Sequence, residues 1–161
     1  MSLEQDIDLL SRVGLLRGIA PEQLRLLAFG TERELLRSGK ELFRTGDQTP
    51  GGYVVCGGQV DLVLYRSGRE ILLDSRREAE SIAELGLITP IRQAFTAIAR
   101  TNSEVIFIPR VLFHRMLTTF PETAALLHQR ITIAFSTMLK QLEALQETID
   151  KAPRFDPARS D

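Results

Sequence analysis

The stretch Tyr53-Val54-Val55-Cys56-Gly57-Gly58-Gln59-Val60-Asp61-Leu62-Val63-Leu64-Tyr65 sets two short apolar runs on either side of a glycine doublet. Short β-branched and aliphatic runs bounded by glycine read as strands. The same texture continues outward in both directions. Upstream, Leu35-Leu36 leads to Ser38-Gly39, and Leu42-Phe43 leads to Thr45-Gly46-Asp47. Downstream, the run through Tyr65 ends at Ser67-Gly68 and Ile71-Leu72-Leu73 follows; further strands read near Ala94–Ala99 and Val105–Ile108. About eight short strands with regular turn signals predict an antiparallel roll, sandwich or barrel over roughly Thr31–Ile108. The doublets Gly51-Gly52 and Gly57-Gly58 read as hairpin turns, and Cys56 as a small buried residue of its strand.

Helical periods flank this region. Ile7, Leu10 and Val13 share a face before Gly14 and Leu16. Pro21 opens a second short helix that buries Leu24, Leu27 and Ala28 and stops at Gly30. After Pro109, Val111, Phe113, Met116 and Leu117 mark a short helix, and Pro121-Glu122 opens a long one, to about residue 151. The fold class is therefore α+β: an antiparallel β-roll or jelly-roll barrel, two N-terminal helices and a long C-terminal helix. The domain is expected to span 1–152, with a disordered tail over 153–161. Along the long helix, Leu127, Ile131, Ala134, Met138, Leu142, Leu145 and Ile149 form a stripe. Its length exceeds what a small barrel covers at about 1.5 Å per residue, so its second half is expected to meet its own copy in a homodimer.

Composition removes several function classes. The chain has 161 residues, 43% of them hydrophobic, which is enough for one domain with a core. Twenty basic against twenty-one acidic residues leave a net charge of −1, which disfavours phosphate-driven nucleic-acid binding. No run of about 18 apolar residues crosses a membrane, and the acidic start lacks a signal-peptide pattern. A lone cysteine, Cys56, forms no internal disulfide, so the default compartment is the cytoplasm. His114 and His128, the two histidines, fall on helices after the barrel and read as surface residues. That leaves no inward histidines for a metal-binding barrel and little for nucleophilic catalysis. Arg76-Arg77 reads as a solvated loop. No enzyme and no metal or organic cofactor is expected.

Three segments together resemble the cyclic-nucleotide-binding domain family. Gly46-Asp47 followed by Tyr53 to Val60 looks like its glycine-aspartate, loop and hairpin pattern. Ala83-Glu84-Leu85-Gly86-Leu87-Ile88 is similar to the opening of its phosphate-binding cassette, and Glu104-Val105-Ile106-Phe107-Ile108-Pro109-Arg110, with Phe113, resembles its last strand and next helix. The resemblance implies a ligand, cyclic AMP or cyclic GMP. An arginine and backbone N–H groups would hold its phosphate, and Glu84 would take the ribose hydroxyl. The implied ligand-binding residues are Ala83, Glu84, Leu85, Arg92, Gln93 and Ala94.

The departures from the family pattern fall at that site. Ala79 and Ala83 stand where the family has glycine, and alanine adopts a positive φ poorly. In the gapless spacing, Gln93 takes the arginine's place; Ala94-Phe95-Thr96-Ala97 then matches the family's Ser-Ala-Thr-Val. A loop one residue shorter would instead restore Arg92. The two registers put opposite faces toward the pocket, and glutamine hydrogen-bonds a phosphate without neutralising it.

The expected function is a regulatory or sensor module that binds a cyclic nucleotide weakly and signals through its terminal helix. The alternative is a ligand-free dimerisation or partner-binding domain that keeps the fold. By position, Phe135–Leu139 would be the lid, with Thr137 as its polar reader. Some family members continue into a helix-turn-helix domain. Taken as complete, this chain leaves too little after its helix for one and would act on an unidentified protein partner.

Overall fold

The computed structural model describes residues 2–151, with side chains as far as Thr148. The predicted tail over 153–161 and the Ile149 side chain lie outside the described residues. Helix α1 (Leu3–Ser11), a 3-10 turn (Gly14–Leu16) and α2 (Pro21–Ala28) precede eight strands. These are β1 (Glu32–Leu36), β2 (Glu41–Phe43), β3 (Gly51–Gly57), β4 (Val60–Arg66), β5 (Arg69–Arg76), β6 (Ser81–Ile82), β7 (Thr96–Ala99) and β8 (Ser103–Pro109). A second 3-10 turn (Glu84–Leu87) lies between β6 and β7, and α3 (Arg110–Thr119) and α4 (Pro121–Lys151) close the chain.

The strands form two antiparallel four-stranded sheets, ordered β1-β8-β3-β6 and β2-β7-β4-β5. The predicted α+β roll with two N-terminal helices and a long C-terminal one is therefore present. Gly57-Gly58 turns the chain from one sheet to the other, and Gly58 has φ 86° at a place where an added methyl would overlap Asn102 and Ser103. Gly51-Gly52 is not a hairpin turn: both residues lie inside β3, opposite Pro109 and Ile108 of β8. A methyl on Gly51 would overlap the Ile108 carbonyl, so the glycine permits close strand approach rather than a reversal.

Period-two alternation divides β3 and β8 between two cores. Val54, Ile106 and Ile108 face the helices, where they meet Leu10, Leu24, Leu27, Phe113, Met116 and Leu127. Tyr53, Val55 and Val105 face the roll interior with Phe43, Leu62, Leu64 and Phe95. Burial on both sides explains why β3 reads as a continuous apolar run. Val111 departs from the expected stripe of α3: it is exposed, and Leu112 takes the half-buried place beside Phe113. Cys56 is half-buried on the helix side of β3, near Arg33. Burial, only partly offset by that guanidinium, pushes its thiol up to about 11. Arg76 is not a solvated loop residue: it belongs to β5, donates to the Ser81 carbonyl at 3.1 Å and pairs with Asp74, whereas Arg77 is exposed.

The stripe of α4 meets both cores. Leu127 and Ile131 complete the helix-side core, while Met138, Leu142 and Leu145 pack on the roll. One helix thus spans both cores in turn, and the chain's own roll partly covers the stripe from Met138 to Leu145.

On the second sheet, the buried Asp61 accepts from Gln59 (2.9 Å), Ser75 (2.7 Å) and Arg100 (2.8 Å). Burial alone would raise its pKa; the three hydrogen bonds outweigh that and hold the carboxyl below its ordinary range. A depressed folded pKa stabilises above the unfolded carboxylate value of about 3.9, and the gain disappears as pH falls through the folded value. Asp61→Asn is expected to cost about 1–3 kcal/mol at neutral pH and to flatten the acid limb of stability against pH. Urea unfolding at a series of pH values checks both.

Candidate functional site

The cassette runs from the end of β5 to the start of β7. Ala79 and Ala83 keep the left-handed backbone, at φ 64° and 60°. The shape that glycine normally supplies is therefore built with alanine, at a cost of order 1–2 kcal/mol per residue. It is retained because the surroundings over-determine it. Ala79 N–H donates to Val55 O at 2.8 Å, and Ala83 is buried in the roll core. Ala79→Gly and Ala83→Gly are each expected to stabilise by about 1 kcal/mol, a Tm rise of roughly 2–4 °C, read by calorimetry.

Ala83 is the N-cap of the 3-10 turn, and Gly86 N–H bonds its carbonyl at 3.0 Å. Glu84, half-buried, accepts from Ser81 Oγ at 2.8 Å. A shallow hollow of about 240 Å³ opens beside it, lined by Leu15, Ser81, Arg130, Ile133 and Ala134. Leu85 packs half-buried against the helix-side core.

The two candidate phosphate ligands point opposite ways. Gln93 is 6% exposed, and its Nε2 donates to Thr49 Oγ1 at 3.1 Å. Arg92 is exposed and donates to the Gly46 carbonyl at 3.1 Å. Backbone bonds fix this register: Gln93 N–H to Asp47 O at 2.8 Å, and Gly46 N–H to Gln93 O at 2.7 Å. The side chain turned inward is thus neutral. Ala94 is exposed, and Phe95, where the family pattern has alanine, is buried with its ring 5.6 Å from Phe43. Phe43 stacks in turn on Tyr53. Aromatic side chains occupy interior volume that a small residue would leave open.

In the segment expected to be a lid, Met138 is buried against the roll, Phe135 is half-buried and Leu139 is exposed. Thr137 faces solvent, and its hydroxyl donates to Ile133 O one turn back, so it does not serve as a reader of a ligand in this arrangement. His114 and His128 are exposed on α3 and α4, as expected. Among the described residues, no group of three His, Cys, Asp or Glu side chains could hold a metal ion. Among the described residues, no helix is long and apolar enough to cross a membrane.

Thr49, Phe95 and Arg110 escaped the sequence reading as site residues. Thr49 lies in a loop without period, between Gly46-Asp47 and β3, and carries no signal of its own. Phe95 was visible as a mismatch to alanine. Arg110 looked like the first residue after the last strand, yet its guanidinium reaches back to Gly86 O at 2.9 Å and Thr49 O at 2.7 Å.

The family model described as cyclic nucleotide-binding domain matches residues 33–120, more than half of the chain. The chain belongs to the cyclic nucleotide-binding domain family. Among solved structures, a cyclic nucleotide-binding-like protein from Brucella abortus is 37% identical, with TM-score 0.64, over 70% of this chain and 97% of that one. The N-terminal domain of a Streptomyces coelicolor transcriptional regulator is 27% identical, with TM-score 0.71, over 93% of this chain and 99% of that one. Among curated relatives, a lysophospholipase from Kluyveromyces lactis is 28% identical over 133 residues, 81% of this chain but 9% of that protein. One from Pyricularia oryzae is 30% identical over 128 residues, 74% of this chain and 8% of that protein. This cyclic nucleotide-binding domain therefore spans less than a tenth of the curated relatives it matches.

Proposed function

We propose that the chain is a non-enzymatic regulatory module of the cyclic-nucleotide-binding type whose cassette binds cyclic AMP or cyclic GMP weakly or not at all. Its output is the placement of α4. The carrying observation is the inward, buried Gln93 in the arginine's place, with Arg92 turned out to Gly46. The filled aromatic interior supports the same reading, since Phe95 takes up space where the family pattern has alanine. Glu84 still supplies a carboxylate for a ribose hydroxyl, so residual weak binding would come through Ala83, Glu84 and Leu85 and their backbone. The lysophospholipase relatives are enzymes by name; this chain corresponds to a small part of them, and its role is regulatory rather than catalytic.

Thermal unfolding tests the reading. Ligand that binds only the folded state stabilises by RT ln(1 + [L]/Kd). At about 1 mM cyclic AMP or cyclic GMP, the expected Tm rise is about 2 °C or less; a sub-micromolar ligand would give on the order of 10 °C. The larger shift overturns the proposal.

The partner of α4 in this reading is a second copy, meeting it along exposed apolar positions of the helix. Leu126 and Ile133 lie seven residues apart there and are exposed, a spacing that suits a helix–helix seam. Sedimentation is expected to show a homodimer, and Ile133→Glu a monomer. A monomeric unaltered chain at high micromolar concentration ends this part. Leu142→Glu and Leu145→Glu are unsuitable probes, because these side chains pack on the chain's own roll.

A further inference from the structure

In the family pattern, an arginine and a bound phosphate tie the two ends of the cassette together. Here both ends converge on one loop, Thr49–Gly51, through the chain's own side chains. At the far end, Gln93 Nε2 donates to Thr49 Oγ1 at 3.1 Å, and that hydroxyl donates to Gly51 O at 2.9 Å. Both side chains are buried, at 6% and 3% exposure, so these bonds are shielded from competing water. At the near end, the 3-10 turn is held by Arg110. Its Nε donates to Gly86 O and its Nη2 to Thr49 O, one guanidinium bridging cassette and loop. Gly86 itself lies so close that a methyl there would overlap Gly51 O and stand 3.0 Å from Thr49 Oγ1. No described buried side-chain nitrogen or oxygen is left without a partner.

We propose that Gln93, Thr49 and Arg110 form a built-in clamp that holds the cassette docked against β3 in the absence of nucleotide. The clamp takes over the ordering role that a bound phosphate would have. The cassette turn also touches α4, so a cassette fixed by the clamp fixes α4 without a ligand. The inference rests on the reading that this cassette works without tight nucleotide binding, and it names the side chains that make this possible.

Hydrogen exchange with mass spectrometry on the full chain, without nucleotide, tests it. In the unaltered chain, peptides covering residues 83–93 are expected to be protected. Thr49→Val keeps the side-chain shape but removes the acceptor for Gln93 and the donor to Gly51. It should speed exchange over residues 83–93 at least tenfold while β4 and β5 exchange as before. Adding Gln93→Leu to Thr49→Val should leave exchange over residues 83–93 fast, because the bonds that tie the cassette to the loop are still missing; restored protection would overturn the proposal. Unprotected exchange in the unaltered cassette would overturn the proposal, and so would an unchanged rate in Thr49→Val. If Thr49→Val loosens the whole chain, Arg110→Lys decides: acceleration confined to residues 83–93 supports the clamp, and no local acceleration contradicts it. These rates are measured without nucleotide, so they fail or hold separately from the weak-binding proposal, whose failure would show as a large thermal shift with cyclic AMP.

Discussion

Gln93→Arg is expected to raise affinity for cyclic AMP about ten- to a hundredfold over the unaltered chain, and Arg92→Ala to leave it nearly unchanged. Gln93 projects into the buried side of the cassette, and Arg92 stands outside on the Gly46 carbonyl. A cation at position 93 would make a charge-assisted hydrogen bond to a phosphate, worth roughly 1.5–3 kcal/mol, and each 1.4 kcal/mol is about tenfold. The gain would sit at the low end, because the substitution also removes the bond from Gln93 to Thr49. Phe95→Ala added to Gln93→Arg should raise affinity further by reopening the volume beside Phe43. Isothermal titration of the variants reads all of this. Loss of binding in Arg92→Ala, with no gain in Gln93→Arg, would mean that the outer arginine swings in.

Phe113→Ala is expected to cost about 3–5 kcal/mol, the usual penalty for a fully buried aromatic side chain. Phe113 is completely buried in the helix-side core. It sits on α3, which as a whole touches α2, α4, β3, β8 and the cassette turn. Tightly packed surroundings collapse only partly into the hole that alanine leaves. The Tm should fall by on the order of 10 °C. Val111→Ala on the same helix, at an exposed position, should change stability by no more than about 0.5 kcal/mol. Equal losses in both would contradict the assignment of the buried face of α3.

Much of this fold was legible in the sequence because its signals are local. Glycine punctuation marks strand ends, and Pro21, Gly30 and Pro121 mark helix limits where the structure also has them. Strand β6 was missed because two residues carry no period. Its pairing with Tyr53 and Val54 is set by the cassette rather than by its own side chains. Val111 was placed on the wrong side of α3 because a short helix offers few turns to fix the phase; Leu112 and Val111 are equally apolar. The roll's share in covering α4 was hidden for a different reason. Stripe length tells how much apolar surface needs covering, not what covers it, and here two cores of one chain share the work.

The site was legible as a location but not as chemistry. The order of motifs placed the cassette, and Ala79, Ala83 and Gln93 stood out against the family pattern. Which of Arg92 and Gln93 faces inward is a one-residue question of register, and a one-residue slip turns a side chain to the opposite face. The register is fixed by backbone bonds from Asp47 and Gly46, some forty residues earlier, and by the bridge from Gln48 to Arg92. No local pattern encodes such long-range pairing. The positive φ at both alanines was equally hidden, since local preference argues against it and only packing imposes it.

The central claim is that this cassette keeps its backbone shape while lacking the inward cation needed for tight binding of a cyclic phosphate. Isothermal titration of cyclic AMP, and separately cyclic GMP, into the unaltered full chain tests it most directly. The account predicts dissociation constants no tighter than the high micromolar range, or no measurable heat. A sub-micromolar dissociation constant for either nucleotide would contradict it.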